Sequence, residues 1–314
     1  MIRTVFMGTP DFAATALRAL IKGTHEVALV VTWPDRPSGR GARMTPSPVK
    51  VVAEEIGLPL LQVERVNTVS VREAIASVDP DVIVVVAFGA ILRPKLLALA
   101  PHGCLNVHAS LLPRHRGASP INAAILAGDS NVGVSLMRMD EGLDTGPVLL
   151  TRSTASKPHE TAGELHDRLA VLGAEVLMTG LDQIEAGQAT FEPQDHCAAT
   201  TCGLMTKADG RIDFSATAEA VDRHVRGYLP WPGNTAVLQL SSGKRELSVL
   251  RALPVPWSPA EAGLVVEVGR DSFTIACGEG ALEVSRLRPK GKRSMAVSDF
   301  LNGTPVSVGD TFET

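Results

Sequence analysis

The sequence predicts an α/β protein: a doubly wound, mostly parallel sheet of Rossmann-like type, followed by a small C-terminal β-barrel of OB-like type. Up to about residue 187, short β-branched runs alternate with stretches of helical spacing. Several of those runs are apolar on both faces, as strands covered by helices are. Beyond residue 207, short strands follow one another with Gly or Pro turns between them. The chain has 314 residues. A single core stops growing at roughly 250–300 residues, so two domains are expected.

Taken in order, Ile2–Met7, Val27–Thr32, Asp81–Phe88 and Cys104–Val107 read as parallel strands, and Val132–Met137 as a further apolar strand. Between them Asp11–Ile21, Val49–Ile56 and Ile91–Ala98 have helical spacing. Such alternation implies right-handed crossovers. The clearest helix is Ala162–Glu185, with Leu165, Leu169, Leu172, Val176, Leu177 and Ile184 on one stripe. Thr161 and Glu164 fit a capping box, each side chain satisfying an orphan backbone N–H. The catalytic domain is therefore assigned to 1–187. Residues 188–206 lose periodicity and read as a linker, and 207–314 form the second domain. There Ala216–Arg226 reads as a short helix. Ala236–Leu240, Leu247–Ala252, Leu264–Val268, Ser272–Ala276 and Leu282–Leu287 read as strands.

Composition excludes several classes. Thirty basic against 34 acidic residues leave a formal charge of -4, so any polyanion must be met by a local basic patch. Cys104, Cys197, Cys202 and Cys277 are too few and scattered for a disulfide framework or a zinc site, and free thiols in a reducing cytosol are expected. The longest apolar run, Val82 to Leu92, falls far short of the roughly 20 residues that span a bilayer. With no signal peptide at the start, a cytoplasmic, non-membrane protein is expected. A monomer is expected because no exposed apolar helix is evident.

Asn106-Val107-His108 lies at the carboxyl end of a buried strand, where open α/β sheets gather their ligands. Residues at i and i+2 leave the same side of an extended segment. A carboxamide there can donate to a developing oxyanion while the imidazole exchanges protons. By itself the pair also fits a structural role. Met139 to Gly146 adds Asp144 in a Gly-bounded loop after another apolar strand. A solvated turn is the alternative. A carboxylate beside His108 would orient the ring and favour its charged form. The three groups together suit acyl transfer.

Between them, Ser110-Leu111-Leu112-Pro113-Arg114-His115-Arg116-Gly117-Ala118-Ser119-Pro120-Ile121 is a long and distinctive run. From Asn106 to Ile121, followed by Gly142-Leu143-Asp144-Thr145-Gly146, the chain resembles the folate-dependent formyltransferases. The resemblance implies 10-formyltetrahydrofolate as donor, with no metal and no covalent intermediate. It assigns Asn106, His108 and Asp144 to catalysis and Ser110, Leu111, Leu112 and Pro113 to folate contact. Phe6-Met7-Gly8-Thr9-Pro10-Asp11-Phe12-Ala13 resembles the start of the tRNA-directed members. A nicotinamide fold would instead need G-x-G-x-x-G after the first strand.

The stretch Thr32 to Lys50 carries Arg36, Arg40, Arg43 and Lys50 among Pro and Gly residues that argue against regular structure. A solvated loop is the bland reading, and a basic loop over a polyanion the functional one. It resembles the insertion that tRNA-directed members place on the acceptor stem, which implies initiator methionyl-tRNA as partner. Thr206–Phe214 and Arg226–Gly233 resemble segments of the same members. Arg286, Arg288, Lys290, Lys292 and Arg293 form a basic cluster on the expected barrel, a solvated face or a phosphate track. Three positions depart from the family pattern: His115 where an aromatic is usual, Phe88 for Tyr, and Gly227 for Ala. His115 and Phe88 are expected to affect packing near folate and to leave the catalytic set untouched. The same chemistry also suits an amino-sugar-nucleotide formyltransferase or a formyltetrahydrofolate hydrolase. A non-catalytic tRNA-binding module is the alternative of another class, but it would need none of Asn106, His108 and Asp144.

Overall fold

A computed structural model describes residues 1–38, 41 and 43–313. The chain divides into two compact units. One is built from Met1–Pro120, Ser130–Ser156 and His166–Gly203, the other from Ile121–Asp129, Lys157–Leu165 and the chain from Leu204 onward.

In chain order the elements to residue 203 begin with β1 (Arg3–Gly8), α1 (Asp11–Lys22), β2 (Glu26–Thr32), β3 (Arg36–Ser38) and β4 (Arg43–Thr45). They continue with α2 (Pro48–Ile56), β5 (Leu60–Gln62), α3 (Val69–Ala76), β6 (Val82–Val86) and α4 (Pro94–Leu97). Then come β7 (Cys104–His108), β8 (Arg116–Gly117), α5 (Pro120–Ala127), β9 (Asn131–Arg138), β10 (Val148–Ala155), α6 (Ala162–Glu185) and β11 (Thr201–Cys202). The main sheet of the first unit runs β10-β9-β7-β6-β1-β2-β5. Its members from β7 to β5 are parallel neighbours, while β9 runs antiparallel to both β7 and β10. The order reverses at β1, because the chain builds outward to β2 and β5 and then returns to β6 and β7. Side chains at the carboxyl ends beside such a reversal are where this fold class binds ligands. All of β6 is buried, and its Ile83 and Val85 join Val5, Met7, Leu29 and Val31 in one apolar cluster.

The mostly parallel α/β sheet followed by a β-barrel is the predicted fold. Helix α6 has the predicted limits, whereas the helix expected over 91–98 shrinks to one turn at Pro94–Leu97. A proline disfavours the helical conformation at the residue before it, and Arg93 is indeed extended, with ψ 159°. The basic stretch was expected to lack regular structure, yet β3 and β4 pair there as an antiparallel hairpin, Arg36 opposite Thr45. Proline is tolerated there because the hairpin is a separate two-stranded piece and Pro37 sits on a free edge.

In the second unit, α7 (Ala218–Gly227) starts two residues later than expected, with the Thr217 hydroxyl accepting from the Ala220 N–H as its cap. Strands β12 (Ala236–Leu240), β13 (Gly243–Val255), β14 (Val265–Val268), β15 (Phe273–Ala276), β16 (Ala281–Pro289) and β17 (Met295–Ala296) follow. After them come α8 (Val297–Gly303) and β18 (Thr311–Phe312). The sheet order is β14-β15-β16-β13-β12-β18, with β17 on β16. A bridge from Leu264 to Thr311 brings the two edges together, so the sheet nearly closes. Phe214, Leu238, Val249, Phe273, Ile275, Leu282 and Leu287 fill the interior. Among the described residues no helix is long and apolar enough to cross a membrane.

Candidate active site

Strand β7 is central, and its pleat sends Asn106 and His108 to the same side, with Val107 buried on the other. His108 lies opposite Ser135 on β9 and is 6% exposed. Its Nε2 sits 2.9 Å from the carbonyl oxygen of His115. A carbonyl only accepts, so Nε2 carries the proton and Nδ1 is the ring atom facing the rest of the site.

Asp144 faces that atom. Its Oδ2 is 3.6 Å from His108 Nδ1 and accepts from the Gly117 N–H at 2.8 Å, while its Oδ1 is 3.4 Å from Asn106 Nδ2. The Asp144 backbone has φ 53°, a left-handed conformation that short polar residues tolerate best. The turn before it is held by Asp140, whose Oδ1 accepts from the Gly142 N–H and the Thr145 hydroxyl. Gly146 passes so close to β9 that an added Cβ would lie 1.8 Å from the Arg138 carbonyl oxygen. The structure therefore brings together the three residues expected to act as a set.

Residues that the sequence placed in a linker complete the surroundings. Gln194, 8% exposed, donates from Nε2 to the carbonyls of Asp144 (2.9 Å) and Gly146 (2.7 Å). Its Oε1 accepts from Arg116 Nε at 3.1 Å and Nη2 at 2.7 Å. Thr200 accepts the His115 N–H on its hydroxyl and the Arg116 N–H on its carbonyl, and β11 pairs in parallel with β8. Cys202 is half-buried against the carbonyls of His115 and Arg116, and burial raises its thiol pKa. All four cysteines are free thiols, and burial pushes Cys104 and Cys277 up to about 12. No motif marks Gln194 or Thr200, since both act largely on backbone carbonyls and amides. His115 meets the catalytic set through its main chain: its carbonyl holds the His108 ring, as the carbonyl of any residue at that position would. Phe88 is buried and stacks on Trp33, with ring centroids 5.0 Å apart. Gly227 closes α7, where a Cβ would meet Leu126 at 2.9 Å.

Of the residues expected to touch folate, Ser110 donates to the Arg114 carbonyl, and its own carbonyl accepts from the buried Ser135 hydroxyl. The same Ser135 oxygen accepts from the Leu112 N–H, and Leu111 lies against Gly133. The Leu112–Pro113 bond is cis. Of the expected tRNA contacts, Arg36 and Arg43 are exposed on the hairpin, and Arg36 lies over the Trp33 ring at 5.9 Å. Arg40 lies outside the described residues. Lys50 is not a free cation: both Asp35 oxygens hold its Nζ at 2.9 Å, which raises the lysine pKa and lowers that of the aspartate. On the barrel, Arg286, Arg288, Lys292 and Arg293 are exposed, while Lys290 is paired with Glu246.

A carboxamide, an imidazole and a carboxylate that meet at the carboxyl end of a parallel strand suit group transfer at a carbonyl. Comparison sharpens that class. Residues 2–181 match the family model described as formyl transferase, and residues 204–305 match the formyl transferase C-terminal domain. The chain belongs to the formyl transferase family and is an enzyme of that family. It is 45% identical over 313 residues to the methionyl-tRNA formyltransferase of Desulfotalea psychrophila, covering 100% of this chain and 96% of that one. It is 47% identical over 309 residues to the protein of the same name from Halorhodospira halophila, covering 98% of each. Among solved structures, a Helicobacter canadensis N-formyltransferase in complex with folinic acid and dTDP-3-aminofucose aligns with TM-score 0.66. That alignment has 16% identity and covers 92% of this chain and 100% of that one. HypX from Aquifex aeolicus in complex with tetrahydrofolic acid aligns with TM-score 0.64 at 17% identity, over 100% of this chain and 51% of that one. At such identities these two share the fold.

Proposed function

We propose that this enzyme moves the formyl group of 10-formyltetrahydrofolate to the amino group of methionine on initiator tRNA. The observation that carries the reading is the convergence of Asn106, His108 and Asp144 on a chain so close in sequence to methionyl-tRNA formyltransferases. The methionine nitrogen adds to the formyl carbon, and the carbonyl oxygen becomes an oxyanion. The Asn106 carboxamide has two N–H donors, of which Asp144 engages one, leaving the other for that oxygen. His108 takes the proton from the attacking nitrogen on Nδ1, and the Asp144 carboxylate stabilises the charge the ring gains. The carbon–N10 bond then breaks and N10 receives the proton, giving tetrahydrofolate and N-formylmethionyl-tRNA. The amine is itself the nucleophile, so these steps use neither a metal nor a covalent enzyme intermediate.

Ser110, Leu111, Leu112 and Pro113 are the proposed folate contacts. Arg36, Arg40, Arg43, Arg286, Arg288, Lys292 and Arg293 are the proposed phosphate contacts on tRNA. Lys50 and Lys290 already have carboxylate partners and contribute less. Residues 1–187 supply the chemistry and 207–314 the tRNA grip, in a cytoplasmic monomer. The test offers purified enzyme and 10-formyltetrahydrofolate three fates for the formyl group: initiator methionyl-tRNA, an amino sugar nucleotide, and water. Formylated methionyl-tRNA is expected, and His108→Ala should lower its formation by about 10²–10⁴-fold with folding intact. Transfer to the sugar nucleotide alone, or release of formate alone, refutes the acceptor.

A further inference from the structure

We propose that Gln194 is a positioning residue for the transfer, holding Asp144 in the orientation that serves His108. The proposal rests on the reading that Asp144 assists His108. A side-chain carboxamide has two donor hydrogens and two acceptor lone pairs. Gln194 uses all four. Both hydrogens go to carbonyls of the Asp144 turn, and both lone pairs go to the Arg116 guanidinium. This saturation fixes which way the amide faces, because its oxygen must meet the cation and its nitrogen the carbonyls.

The contacts close a ring. From Arg116 the chain passes directly to Gly117, whose N–H holds the Asp144 carboxylate. The Arg116 side chain reaches Gln194, and Gln194 returns to the Asp144 carbonyl. Main chain and side chain of Asp144 are thus tied to the same two-residue strand, one through a backbone amide and the other through Gln194. The tie matters because Asp144 holds a left-handed conformation that its own sequence favours only weakly. It matters also because its Oδ2 must stay between the Gly117 N–H and His108 Nδ1. The Asp140 contacts hold the exposed half of the turn, at Gly142 and Thr145, and Gln194 holds it from the buried side.

The experiment compares Gln194→Glu and Gln194→Met with Asp144→Ala and the double variant Gln194→Met/Asp144→Ala. It reads kcat, KM for each substrate across pH, and Tm. Gln194→Glu keeps a partner for Arg116 but turns an oxygen toward the two carbonyls, and Gln194→Met keeps the volume without any donor. In both, kcat should fall about tenfold or more, the size of a strong coupling within one hydrogen-bond network. KM for the folate donor should stay within about twofold, and the pH profile of kcat should change shape. The double variant should be no slower than Asp144→Ala alone, since a residue acting through Asp144 has nothing left to position. Lower Tm with unchanged kcat, or losses that multiply in the double variant, overturns the proposal. Wild-type turnover in Asp144→Ala would instead remove the reading of the site beneath it. If Gln194→Glu does not fold, the same comparisons with Gln194→Met decide.

Discussion

Gly117 shows how closely the site depends on single atoms. Its φ is 117°, and an added Cβ would lie 2.1 Å from the Cys202 carbonyl oxygen. That atom cannot step aside cheaply, because the same oxygen accepts the Ala118 N–H where β8 and β11 pair. Gly117→Ala should therefore cost about 1–3 kcal/mol of backbone strain and push the two short strands apart. The Gly117 N–H would leave the Asp144 carboxylate, so kcat should fall together with Tm. A calorimetric scan and a turnover assay on the same preparation check both, and unchanged kcat would show that this amide does not hold Asp144. At this scale the sequence reveals groups that act through distinctive side chains. Asn106 and His108 stand two apart on an apolar strand, and Asp144 lies in a glycine-bounded turn. It conceals groups that act through the main chain: the His115 carbonyl and the Gly117 amide are common to any sequence. Gln194 stays hidden for another reason. It lies 50 residues beyond Asp144 in a stretch without periodicity, and only folding brings it beneath the turn.

Helix α6 is the element most fully written in its sequence, because a long apolar stripe and a cap agree about where it begins. Thr161 and Glu164 make the reciprocal contacts of a capping box: the Thr161 N–H donates to Glu164 Oε2 at 2.8 Å, and the Glu164 N–H to the Thr161 hydroxyl at 3.3 Å. The Thr161 backbone and side-chain hydrogen bonds hold the Glu164 carboxyl below the ordinary glutamate value of 4.5. A depressed folded-state pKa gives stability that is present above 4.5 and is lost as pH falls through the lower, folded value. Thr161→Ala should cost about 1 kcal/mol near neutral pH. Glu164→Ala should lower Tm there as well, with the gap to wild type narrowing as pH drops below 4.5. A gap that widens toward acid would contradict the sign. Elements without such double marking escaped the sequence. Strand β5 has only three residues, and α3 and α8 have eight and seven. Strand β10 alternates weakly, since none of its residues is fully buried. The β3–β4 hairpin is set by backbone pairing across a turn, where composition alone favours a loop.

For the whole molecule the question is how a chain with formal charge -4 would hold the proposed tRNA partner. The proposed grip is local, on the barrel. Strands β13 and β16 pair so that Arg251 faces Arg286 and Ser248 faces Arg288, next to a register irregularity on either side of Arg251. Both members of the arginine pair are exposed, and among the described residues neither has a carboxylate partner. Like charges directly opposite one another destabilise a sheet, so the pair costs the free protein stability. A backbone phosphate between the two guanidinium groups would reverse that cost, which extends the proposed tRNA contacts to Arg251, a residue the basic run at 286–293 does not include. Each phosphate contact removed should reduce the slope of log K against log salt by roughly 0.7–0.9. Replacing Arg251 and Arg286 by Ser should therefore flatten the slope for tRNA binding by roughly 1.4–1.8. Tm should hold steady or rise, because a repulsion has been removed, and folate binding should be unaffected. Titrations of initiator tRNA at several salt concentrations measure the slope. An unaltered slope would take these two arginines off the RNA path, and a fall in Tm would mean that the pair supports the barrel instead of waiting for a ligand.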